Sequence, residues 1–207
     1  MMWLQPPMLR SRSRRRLLAG LSIVFVVAIG LAPPAAAASL TFNTSDGQFT
    51  PGVDNQGWWS ATASNVNTSD NYFTGERDDG AVLRSFFTFN LASLDLAGQT
   101  VVAAALELVR YTYDSTDASE TIALFDVSTP AATLNNNSGV SAAIFNDLGS
   151  GKNYGAFPVN DYAASSALTL TFALNAGALA DITAAAGGFF SVGGAFAMRG
   201  DTLELST

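Results

Sequence analysis

An all-β sandwich or barrel is the fold the sequence predicts from residue 39 onward, on three observations. Apolar residues recur mostly at alternate positions, short β-rich runs are separated by turns of Asn, Asp, Gly and Pro, and no segment repeats at a fixed period. Alternation sends successive side chains to opposite faces of a strand, so that one face is buried against a second layer.

Leu40-Thr41-Phe42 alternates and begins the first strand, and residues 43–57 form a loop rich in turn formers. Residues 58–62, opening with Trp58-Trp59, read as a short strand. A long polar loop follows over residues 65–80, carrying Asp70, Glu76, Asp78 and Asp79. Residues 82–91 are an aromatic strand with Phe86, Phe87 and Phe89, and residues 93–99 turn the chain. Residues 100–113 predict a long strand, with Val102, Ala104, Leu106 and Leu108 on one face. Its other face carries Val101, Ala103, Ala105, Glu107 and Val109, and two apolar faces suit a central strand.

Residues 121–127 form the next strand, with Ile122 and Leu124 opposed to Phe125 and Val127. Beyond a loop at 135–139, Ser141 caps one or two helical turns that run to residue 148. Residues 154–159 and 167–173 resume alternation. Asn175 caps a short helix near residues 176–186, where Ala178, Leu179 and Ile182 make one stripe and Gly187-Gly188 stops it. Closing strands at 189–198 and 202–206 are joined through Arg199-Gly200-Asp201, a tripeptide best read as a tight turn with Gly200 at positive φ.

The first 38 residues are set apart. Arg10, Arg12, Arg14, Arg15 and Arg16 precede an apolar run at 17–31, and Pro33-Pro34-Ala35-Ala36-Ala37-Ala38 follows. That order is the layout of a secretory signal peptide cleaved near Ala38, and the run is shorter than the roughly 20 residues of a membrane span. Ser13-Arg14-Arg15-Arg16-Leu17-Leu18 resembles a twin-arginine export signal, and the general secretory route also fits. The expected domain is residues 39–207, located in the extracellular space or at the cell surface.

Without the leader, five cationic residues face seventeen acidic ones, a net charge of −12. Such a surface repels phosphate backbones and anionic lipid, so no nucleic-acid partner is expected and no membrane partner after cleavage. The chain has neither cysteine nor histidine, which removes disulfides, the usual zinc ligands, and Ser-His and Cys-His nucleophile pairs.

Arg84-Ser85-Phe86-Phe87-Thr88-Phe89-Asn90-Leu91-Ala92-Ser93-Leu94, a short gap, and Val101-Val102-Ala103-Ala104-Ala105-Leu106-Glu107-Leu108 together resemble the core signature of DNRLRE-type bacterial surface domains. Asn90 stands where that pattern has Asp, and Ala92 where it has Ser. The resemblance implies a jelly-roll antiparallel β-sandwich related to carbohydrate-binding modules, and it covers about 25 residues closely. It also implies kinship with exported proteins that often carry a C-terminal sorting tail; the residues up to Thr207 show no apolar helix or arginine cluster of that kind.

Trp58, Trp59, Tyr72 and Phe73 are the candidate ligand-binding residues, because flat aromatic faces stack on sugar rings while nearby Asn and Asp bond hydroxyls. Core packing is the competing role, and strand neighbours point to opposite faces, so at least one tryptophan is expected inside. Asp70, Asp78 and Asp79 are the candidate ligands of a structural calcium ion, which takes about six to eight oxygens from carboxylates and loop carbonyls. The competing role is a solvated acidic loop. Asp46, Asp54, Asp114, Asp117 and Glu120 extend the acidic set without EF-hand spacing. Arg84 is read as a rim residue or a buried carboxylate partner, and Arg110 as a surface charge. No catalytic residue is singled out. The expected function is non-catalytic binding or structure outside the cell, with polysaccharide or a surface matrix as partner. The alternatives are a self-assembling matrix protein and a polysaccharide lyase or glycosidase.

Overall fold

The computed structural model describes the backbone of residues 22–26 and, with side chains, residues 39–66, 68, 70–77, 79–110, 113, 115, 117–160 and 168–196. The strand expected at 202–206 and the turn at 199–201 lie outside the described residues.

Strands dominate, and the arrangement is that of an all-β sandwich. One sheet holds β3 (Gln56–Ser60), β5 (Val82–Asn90), β10 (Phe189–Phe196), β7 (Ser119–Asp126) and β8 (Asn153–Asn160) in that order, with β4 (Gly75–Glu76) paired to the start of β5. All its ladders are antiparallel. The opposite wall is built from two pairs, β1 (Ser22–Val26) with β2 (Ser39–Asn43), and β6 (Ala105–Arg110) with β9 (Leu168–Ala173). β1 comes from the apolar run at residues 17–31.

Period-two patterning explains the core. Phe87, Phe89, Ile122, Leu124, Phe190 and Val192 leave the first sheet on one face and meet Phe42, Leu106, Leu108 and Phe172 from the opposite wall. Phe87 and Leu124 are wholly buried, and burying such side chains contributes about 2–3 kcal/mol each. β8 is an edge strand, and Pro158 within it costs no ladder bond on the solvent side.

Three short helices among the described residues cover what the strands leave bare. α1 (Ala131–Leu134) and α2 (Ala142–Asp147) lie on the outer face of the first sheet, where Leu134, Ile144 and Leu148 pack on Trp59 and Phe86. α3 (Ala176–Ala184) closes the main core with Ala178 and Ile182. The Ser141 side chain caps α2 by accepting from the Ile144 N–H at 3.2 Å, and Asn175 caps α3 through Gly177 and Ala178. Among the described residues no helix is long and apolar enough to cross a membrane.

Two expectations are corrected. The strand expected over 100–113 runs only from Ala105 to Arg110, because the Val101 N–H donates to Thr183 Oγ1 and the Ala104 carbonyl accepts from Leu174. Those bonds tie residues 101–104 to α3 and the end of β9 instead of a ladder, and Val102 is left 42% exposed. The helix near 176–186 is not alone either. α1 escaped notice because Pro130 occupies its N-cap position and provides no capping side chain.

Candidate functional site

The two tryptophans lie inside. In β3, Trp58 points to the inner face with Ala81 and Leu83, and Trp59 points to the outer face under α1 and α2. Trp59 is 3% exposed, and its indole N–H donates to the Leu134 carbonyl at 3.0 Å. Trp58 is 9% exposed, with the Arg77 guanidinium 5.8 Å from its ring centroid. The sequence places at least one of the pair in the core. The structure buries both, because helices cover the face that strand alternation alone would leave to solvent.

Tyr72 packs edge-on against Phe87 and donates its hydroxyl hydrogen to the Val109 carbonyl. Phe73 is half-buried against the Trp58 cluster. The four aromatic candidates therefore serve packing on the inner and outer faces of one sheet and do not form a common platform.

Of the carboxylate candidates, Asp79 is ion-paired with Arg77 and also accepts the Ala81 N–H. The Arg77 hydrogen bond holds the Asp79 carboxyl below its ordinary range. The Asp70 carbonyl accepts from Gln56 Nε2 at 2.9 Å. Asp78 and Asp114 lie outside the described residues. Glu120 is buried and accepts from Ser115, and the Asp117 carbonyl accepts from Tyr113. Among the described residues no three carboxylates come together as metal ligands would.

Other charged groups have structural partners. Arg84 is half-buried, stacks 4.1 Å over the Phe145 ring and donates to the Phe145 carbonyl at 2.8 Å, so it fastens α2 to β5. Burial lowers its pKa from the ordinary value. Arg110 donates to the Asn160 carbonyl at 2.6 Å. Burial, and then the hydrogen bond to Asp181, raise the Tyr154 hydroxyl well above its usual range. Asp181 also receives Lys152 Nζ at 2.7 Å.

An aromatic pair that the sequence did not single out does face solvent. Phe189, the first residue of β10, is 42% exposed and lies 4.9 Å from the ring of Phe49. Phe190 beside it fills the core, so alternation turns Phe189 outward. Phe49 belongs to the loop between β2 and β3, and that loop is held from within. Buried Asn55 accepts the Phe49 N–H at 3.0 Å, and its Nδ2 donates to the Asp46 and Gly47 carbonyls. Gln48 donates to Asp54 and accepts from the Gly52 N–H, each at 2.9 Å. Asn90 lies opposite Phe189 on β5, close against Gly47. The result is an aromatic surface on a braced loop, bordered by amide and carboxylate side chains. Phe189-Phe190 at a strand start is the sequence signal that could have found it.

Compared with family models, with curated proteins and with solved structures, the chain matches none.

Proposed function

We propose that the chain is an exported, non-catalytic domain of jelly-roll type that binds polysaccharide, entering the export pathway on a cleaved leader. The single observation that carries the reading is the exposed Phe189 ring against Phe49 on a loop braced by Asn55. Such a face stacks on the C–H surface of a sugar ring, and the amide of Asn90, opposite Phe189, stands in the same neighbourhood to meet hydroxyls. Pre-bracing lowers the ordering cost of binding. The net charge of −12 on residues 39–207 favours neutral over acidic polysaccharide.

The non-catalytic part rests on chemistry. The chain has no histidine or cysteine, and Asp79, Asp147 and Tyr154, whose ionisation the fold shifts, are each hydrogen-bonded to structural partners. Affinity electrophoresis through gels containing neutral polysaccharides tests the reading. Retardation of the wild type by at least one of them is expected, with loss of at least about tenfold in affinity for Phe189→Ala and Phe49→Ala. The melting temperatures of both variants should stay near wild type. No retardation by any polysaccharide, or retardation that survives both substitutions, would overturn it.

A further inference from the structure

Residues 44–55, the loop that carries Phe49, hold two carboxylates, Asp46 and Asp54, and no cationic residue. The tip of the loop is a tight turn. The Val53 N–H donates to the Thr50 carbonyl at 3.0 Å, and Pro51 and Gly52 fill the two central positions, Gly52 at φ 79°. Phe49 and Asp54 are the next residue on each side of the Thr50–Val53 pair, so ring and carboxylate leave the stem of the turn as cross-strand neighbours. Gln48 keeps Asp54 there, donating from Nε2 to its Oδ1 at 2.9 Å. Asp46 is exposed at the other end of the loop, where its Oδ2 accepts the Asn43 N–H at 2.9 Å. It precedes Gly47, where an added Cβ would meet the Asn90 side chain, and Asn90 lies opposite Phe189.

Neither carboxylate has a cationic partner among the described residues, where the ion pairs are Arg77 with Asp79 and Lys152 with Asp181. Arg84 is committed to Phe145, and Arg110 to the Asn160 carbonyl. The bonds that Asp46 and Asp54 accept come from neutral amides. An aromatic pair flanked by negative charge without a counter-ion favours a ligand whose ring also carries positive charge. A ring ammonium gains from the π-face of a phenylalanine and from the carboxylates together. A neutral sugar gains only stacking and hydroxyl bonds.

We propose that the preferred ligand of this site is an amine-bearing polysaccharide, a polymer of 2-amino sugars whose rings stack on Phe49 and Phe189 while Asp46 and Asp54 meet the ammonium charge. The inference rests on the polysaccharide reading above and narrows it. Neutral chains bind through stacking, and a free amine strengthens the binding. Acetylation, which removes the charge of the amine and keeps the ring, is the chemical change to which the site responds. The net charge of −12 on residues 39–207 acts in the same direction, attracting a polycation from a distance.

Hexamers with the same β-1,4 linkage that differ only at the 2-position test it: cellohexaose with a hydroxyl, the glucosamine hexamer with an ammonium, and the N-acetylglucosamine hexamer with a neutral amide. Titration calorimetry is run at about pH 5.5, between the ordinary carboxylate and amine ranges. The wild type should bind the glucosamine hexamer at least about tenfold more tightly than either neutral hexamer. In the double variant Asp46→Asn, Asp54→Asn, whose amide oxygens can still accept the Asn43 and Gln48 bonds, that ratio should fall below about threefold with the melting temperature near wild type. Phe189→Ala should weaken the glucosamine hexamer by at least about tenfold, which charge attraction without stacking would not produce. Equal affinity for all the hexamers, or tighter binding of a neutral one, overturns this inference and leaves the polysaccharide reading standing. A preference that survives the double substitution also overturns it, placing the recognition of charge elsewhere on the acidic surface. Hexalysine bound as tightly as the glucosamine hexamer, and unaffected by Phe189→Ala, would assign the loop to basic peptides and overturn it. Binding of none of the hexamers overturns it as well, and the polysaccharide reading falls with it only if no gel retards the protein.

Discussion

Asp147, the last residue of α2, holds the segment that leads into α1. Its two oxygens accept the Ser128 and Thr129 hydroxyls at 2.6 Å each, together with both backbone N–H groups. Burial disfavours its charge, but these four bonds outweigh burial, and its carboxyl is held below the ordinary 3.8. A depressed folded value means stability that is present above pH 3.8 and lost as pH falls through the folded value. Asp147→Asn should cost about 1–2 kcal/mol at neutral pH, and that deficit should shrink in acid below pH 3.8. Urea unfolding at pH 7 and near pH 3 reads both. An equal deficit at both values would mean that charge is not what the site uses. The same scale shows how far residue reading went: alternation put Trp58 and Trp59 on opposite faces, and it could not see that α1 and α2 would cover the second.

At the scale of elements, the fit of α2 on the outer face depends on one residue of β10. A Cβ on Gly193 would lie 2.5 Å from the Leu148 carbonyl oxygen and 2.8 Å from its Cα, so the backbone just after α2 rests directly on the strand. Gly193→Ala should push Leu148 outward and loosen its packing on Trp59 and Phe86, destabilising by about 2–3 kcal/mol. Denaturant unfolding with tryptophan fluorescence checks this, and a change below about 0.5 kcal/mol would refute so close a contact. The caps of α2 and α3 were legible, because Ser141 and Asn175 bond to free N–H groups in their own next turn. α1 was not, since its start rests on Pro130 and its position on the tertiary bond from Asn135 to Thr88 at 3.0 Å.

For the whole molecule, charge is the dominant long-range quantity. Residues 39–207 carry −12, and the ion pairs Arg77–Asp79 and Lys152–Asp181 are exposed or partly so, where such pairs contribute little. Self-repulsion then outweighs local attraction. Raising NaCl from about 0.01 to 0.15 M shortens the screening length from roughly 30 to 8 Å. The melting temperature of residues 39–207 should rise by about 2–4 °C. A melting temperature that falls with salt would show that paired charges govern stability.

What the sequence determined by itself is whatever acts between near neighbours in the chain: the strand class, the helix caps, the two faces of each strand, and the absence of histidine and cysteine chemistry. The match of Ile122 and Leu124 to the core was legible for this reason. Tertiary structure alone decided which strand face is covered, where a ladder stops, and which aromatic remains in solvent. Phe189 and Trp59 have the same local pattern, an aromatic doublet in a strand, yet one is 42% and the other 3% exposed. The difference lies in α1 and α2, which join the sheet through contacts distant in sequence, and period-two alternation carries no information about what packs across a face.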